Sequence, residues 1–141
     1  MKVIFTNKSR SLTSKLIKLV TLSKFSHMAV LLDDGNVIDT TFLSGVRLQT
    51  LESFNEHYKD RIVREILLPD EHSAEQFLRD QIGKPYDWTA LVGIAVRNGK
   101  WTDDDKWFCS ELIEAAIKAG GLDRFVEKLS RIIPQYCWVI K

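Results

Sequence analysis

The run SHMAVLLDDGNVIDTTF, Ser26 to Phe42, constrains the fold of this 141-residue chain more than any other stretch. Apolar and β-branched residues flank Asp33-Asp34-Gly35, which reads as strand, turn and strand. Two loops fit the turn. A three-residue loop with Gly35 in the left-handed conformation pairs Leu32 with Asn36 and Leu31 with Val37. Ala29 then stands opposite Asp39, with His27 the diagonal neighbour of Asp39 on the same face. A two-residue loop, Asp34-Gly35, moves the register by one, turns Asp39 to the other face and sets Thr40 opposite Ala29. The first is favoured, because Gly35 falls where a left-handed residue is needed.

Around this hairpin the punctuation is regular. Val3 to Thr6 is a short strand. Gly45 precedes a further run, VRLQT, and Thr50 is placed to cap a short helix through Phe54. RIVREILL, closed by Pro69, is the next strand, and Asp70 caps a helix through about Ile82, ended by Gly83 and Pro85. Tyr86-Asp87 opens another helix, closed by Asn98-Gly99. After Trp107, the positions Cys109, Leu112, Ile113, Ala116 and Ile117 share one helical face, and Gly120-Gly121 ends that helix. Pro134 precedes an expected terminal strand, QYCWVI. With no internal repeat and no linker, residues 1–141 read as one α+β domain.

Composition excludes several functions. A 45% hydrophobic and 28% charged balance suits one domain with a core, and a net charge of +1 gives no field for nucleic acid. Two cysteines, Cys109 and Cys137, make no disulfide framework and carry no zinc spacing, so no metal or organic cofactor is expected. The first residues lack the apolar run of about 7–15 residues of a secretory signal, and no stretch of about 18 apolar residues occurs, so a cytoplasmic location is expected. Charge is nonetheless uneven: Lys2, Lys8, Arg10, Lys15, Lys18 and Lys24 all precede the first acid, Asp33. Leu12, Leu16, Ile17, Leu19 and Val20 fall roughly on one helical face, capped by Ser9 or Ser11. Such a helix either packs on the core with a solvated basic back or meets an anionic membrane surface.

The chemistry-bearing stretch is WFCSEL, residues 107–112. A thiol at a helix start lies among backbone amides that favour the thiolate. His57 in NEHYKD and His72 in PDEHSAE have polar, surface-like settings, whereas His27 opens an apolar strand. Cys137, between Tyr136 and Trp138, reads as packing. Glu111 supports the helix dipole, Ser110 adds local hydrogen bonding, and Trp88, Trp101 and Trp107 either line a groove or close the core.

Taken in order, SHMAVLLDDGNVIDTT, GVRL, GKPYDW and WFCSEL resemble the permuted papain-like branch of the NlpC-type cysteine hydrolase superfamily. More narrowly, they are similar to its YiiX-like bacterial and phage members, with the lecithin:retinol acyltransferase family as cousins. The resemblance implies an antiparallel sheet packed on helices, with the nucleophile at a helix N-terminus and the histidine strand preceding it. It also implies Cys109 as nucleophile, His27 as general base and Asp39 as the residue that orients the histidine, with Tyr86 as an oxyanion or substrate-binding group. The three acids Asp103, Asp104 and Asp105 depart from what a thiolate wants unless they point away. The activity implied is a hydrolase forming an acyl-enzyme on a peptide or acyl substrate, such as a cell-wall peptide amide. An acyltransferase or lipid ester hydrolase is the first alternative, and a non-catalytic binding domain the second.

Overall fold

The computed structural model describes residues 1–7, 23–87, 105–125 and 132–139. Five strands form one antiparallel sheet: β1 (Lys2–Thr6), β2 (His27–Leu31), β3 (Asn36–Thr41), β4 (Gly45–Thr50) and β5 (Arg61–Glu65). Their order is β4-β3-β2-β1-β5. The described helices are α1 (Leu51–His57), α2 (Glu71–Asp80), α3 (Cys109–Ala119) and α4 (Pro134–Val139). The expected basic N-terminal helix, the helix opened at Tyr86-Asp87, and Trp88, Trp101, Asp103 and Asp104 lie outside the described residues. No helix among the described residues is long and apolar enough to cross a membrane.

The β2–β3 turn is the three-residue loop. Leu31 pairs with Val37 and Ala29 with Asp39. The Leu32 N–H donates to the Asn36 carbonyl at 2.9 Å, the Gly35 N–H donates to the Leu32 carbonyl at 3.1 Å, and Gly35 has φ +83°. A residue with a Cβ is strained at that angle, so glycine fixes the loop and the loop fixes which side chains face which way.

Alternation then builds two layers. Val3, Phe5, Val30, Ile38 and Val46 pack with Leu112, Ile113, Ala116 and Ile117 of α3 and Leu78 of α2. On the opposite face Ile4, Ala29 and Val37 lie with Phe54 of α1. The caps are those expected from sequence: Thr50 accepts from the Ser53 N–H at 3.2 Å and Asp70 from the Ser73 N–H at 3.0 Å. Helix α1 continues to His57, past the expected end at Phe54.

One expected element is wrong. QYCWVI is not a terminal strand; Pro134–Val139 is the short helix α4. Pro134 has the fixed φ of a first helical residue and loses no internal bond there. Pro134 and Cys137 are buried while Tyr136 and Val139 are 50% and 60% exposed, a spacing of three. Trp138 packs its ring against Phe5 and Phe25, at 5.3 and 5.0 Å between centroids. A short apolar run rich in aromatics fits either period, and here packing decides.

Candidate active site

Helix α3 begins at Cys109, behind the extended residue Phe108, whose N–H donates to Glu111 Oε2 at 3.4 Å. Glu111 therefore fastens the helix start, as its place in the first turn suggested. The Ser110 hydroxyl donates to the Ile132 carbonyl and ties the same turn to the segment before α4. The Cys109 thiol is buried, beside the unpaired amides that begin any helix. Of the three acids before it, Asp105 turns to solvent, with Lys84 Nζ 3.8 Å from its carboxylate.

His27 is the first residue of β2, paired with Thr6 of β1. Its Nε2 lies 3.0 Å from Asp39 Oδ2, and the Cys109 thiol is close enough to favour its charged form. With Nε2 on the carboxylate, Nδ1 is the ring nitrogen left for the sulfur. Burial by itself pushes the imidazole down. The neighbouring Tyr58 phenol, the Asp39 carboxylate and the Cys109 thiol outweigh burial and hold it well above the usual histidine value.

Asp39 is 1% exposed, and every oxygen is committed. Its Oδ1 accepts from Arg47 Nε at 2.8 Å and Gln49 Nε2 at 3.0 Å; its Oδ2 accepts from His27 and, at 3.4 Å, from Arg47 Nη2. Burial would raise its pKa, but the bonds and charges of His27 and Arg47 hold it below the usual carboxylate value. The carboxylate is thus ionised and cannot swing. Thr40 faces the other way, its hydroxyl donating to the Trp107 carbonyl at 3.4 Å.

Tyr86 reaches the site through a close backbone approach. Val46 N–H donates to the Lys84 carbonyl at 2.8 Å, and Gly83 N–H to the Val46 carbonyl at 2.9 Å. A Cβ on Gly45, where φ is +62°, would fall 2.1 Å from the Lys84 oxygen, so only glycine lets residues 83–86 lie along β4. Tyr86 then bridges Trp107, two residues before Cys109. Its phenol is buried without a hydrogen-bond partner among the described residues, and burial, then the charge of Cys109, pushes its pKa up.

The fold thus brings Cys109, His27 and Asp39 into one chain of contacts, with Tyr86 beside the thiol. His57 and His72 are exposed, as their settings suggested, and Trp107 closes the core, donating to Gln81 Oε1 at 3.1 Å and packing edge-on to Phe77. Cys137 is fully buried, its pKa pushed well up by burial and by Glu114. Sequence reasoning missed Arg47 and Gln49. Their alternation in GVRLQT was the available signal: Arg47 pairs across from Asp39 and Gln49 from Val37, so both share its face.

A family model described as "Permuted papain-like amidase enzyme, YaeF/YiiX, C92 family" matches residues 2–133. Among solved structures the chain is similar to the metalloprotein YiiX of Escherichia coli O157:H7. The two share 27% identity and a TM-score of 0.66, over 87% of this chain and 67% of that one. No curated protein matches the chain.

Proposed function

Because the chain belongs to the permuted papain-like amidase family, we propose that it is a cysteine amidase or peptidase working through Cys109, His27 and Asp39 on peptide amides such as those of cell-wall peptides. The observation that carries this reading is the buried relay itself. A helix-start thiol lies close to a histidine, and that histidine bonds a buried carboxylate that also accepts from Arg47 and Gln49.

In this reading the Cys109 proton passes to His27 Nδ1 as the sulfur attacks the carbonyl carbon. A C–S bond forms while the carbonyl π pair moves to oxygen. The oxyanion takes the Cys109 backbone N–H and the Tyr86 phenol as donors, a role that suits a buried hydroxyl with no partner among the described residues. Collapse breaks the C–N bond, and the amine leaves with the proton from His27. Water, giving a proton to the same nitrogen, then cleaves the thioester and restores the thiol.

The relative of known structure is described as a metalloprotein. The donor set here does not suit a cation, because Arg47 already places a fixed positive charge on Asp39. Among the described residues no group of three or more His, Cys, Asp or Glu side chains is placed to hold a metal ion. No step of the mechanism is routed through one.

One feature favours an acyl ester or thioester substrate as a second reading. Phe42 and Leu43, 39% and 89% exposed, stand at the β3–β4 turn, and the Phe42 ring lies 6.2 Å from that of Tyr86. An apolar rim there would suit an acyl chain.

Mixing the protein with an activated peptide thioester, quenching in acid and weighing the intact chain tests the central reading. The expected result is one acyl adduct that maps to Cys109 and vanishes in Cys109→Ala. Undiminished turnover by Cys109→Ala would sink it. Comparing a cell-wall-type peptide amide with a long-chain acyl ester then separates the two substrate classes.

A further inference from the structure

Tyr58 belongs to neither the motif stretches nor the relay, yet its ring lies on the imidazole. The centroids of Tyr58 and His27 are 4.9 Å apart and the planes differ by 18°. Helix α1 sets this contact. The Tyr58 N–H donates to the Phe54 carbonyl at 3.1 Å, closing the helix, and the Tyr58 ring packs at 4.7 Å on fully buried Phe54. The Ser53 hydroxyl donates to Gln49 Oε1 at 3.4 Å, and Gln49 donates to Asp39. Helix α1 is therefore fastened to the same carboxylate that receives His27.

We propose that Tyr58 is a positioning residue, acting through His27: its ring face fixes the imidazole plane and favours the charged form of the base. This rests on the catalytic reading of His27 above. The hydrogen bond at Nε2 points that nitrogen but leaves the plane of the ring free to tilt. A flat neighbour on the ring face removes that tilt. A protonated imidazole is also a flat cation, and a cation within about 6 Å of an aromatic centroid is attracted by the negative ring face. The other groups around the imidazole act elsewhere: Asp39 of β3 at Nε2, Arg47 of β4 behind that carboxylate, Cys109 of α3 on the thiol side, and Tyr86 beside the thiol. Phe54, 6.3 Å from the imidazole centroid, is uncharged.

The test is a titration of the His27 ring by heteronuclear NMR in the full chain, with its signals assigned by their loss in His27→Asn. Tyr58→Leu excludes water about as well as tyrosine but has no π face. It should lower the His27 midpoint by about 0.5–1 unit, and Tyr58→Phe should lower it less. A Leu variant that titrates like the unmodified protein overturns the proposal. So does a Phe variant that falls as far, since the hydroxyl would then be the cause. If the Leu variant does not fold, the unmodified protein still decides. A ring stacked on Tyr58 has its carbon-bound protons shifted upfield by the ring current, and unshifted protons overturn the proposal.

Alkylation of Cys109 across pH keeps the two readings apart. Rates indifferent to His27→Asn would defeat the catalytic reading whatever Tyr58 does. Rates sensitive to His27→Asn but not to Tyr58→Leu, with an unmoved midpoint, would defeat only the Tyr58 proposal.

Discussion

Asp39 is the residue on which the site turns, since it receives the histidine on one oxygen and a fixed cation and an amide on the other. Asp39→Asn keeps the shape but replaces one acceptor oxygen by a donor amide, against His27, Arg47 or Gln49. Turnover should fall on the order of 10²- to 10⁴-fold with the fold intact, while Thr40→Val, on the opposite face, should be mild. Acylation rates on folded, purified variants check this ranking. The pH dependence of stability follows from the same pair. The raised His27 pKa contributes stability that is complete below its ordinary value of 6.5 and is lost as pH rises through the folded value. The lowered Asp39 pKa contributes stability present above its ordinary 3.8 and lost as pH falls through the folded value. Thermal unfolding of the unmodified chain should therefore weaken on both sides of a plateau, and in Asp39→Asn the alkaline decline should end at lower pH.

At the scale of elements, how much could be read in advance depended on whether backbone chemistry or packing decides. The β2–β3 register followed from Gly35, the α1 and α2 starts from Thr50 and Asp70, and the inward face of α3 from its spacing. These are local signals, and the structure carries them all. Helix α4 was misread because its side chains fit two periods and Trp138 finds its place against Phe5 and Phe25, far away in sequence. Arg47 and Gln49 went unseen because their partner lies across the β3–β4 turn. Gly45 shows the same dependence on distant chain: nothing in sequence says that Lys84 will lie against it. Gly45→Ala should cost about 1–3 kcal/mol through backbone strain, read as a lower denaturant midpoint. Because the displaced segment carries Tyr86, turnover should fall further than the alkylation rate of Cys109.

For the whole molecule, the arrangement joins two layers that neither local pattern nor composition connects. His27 and Asp39 lie on the sheet face with α1, the Cys109 thiol comes from α3, and the three meet where the start of β2 meets the start of α3. The direct measurement of this account is the rate at which a small alkylating reagent modifies each of the two cysteines across pH, located by peptide mapping. The account predicts that Cys109 reacts much faster than Cys137 at neutral pH. It also predicts that His27→Ala slows modification of Cys109 and changes how its rate depends on pH. Equal, slow modification of both cysteines, or a Cys109 profile unchanged by His27→Ala, would contradict it.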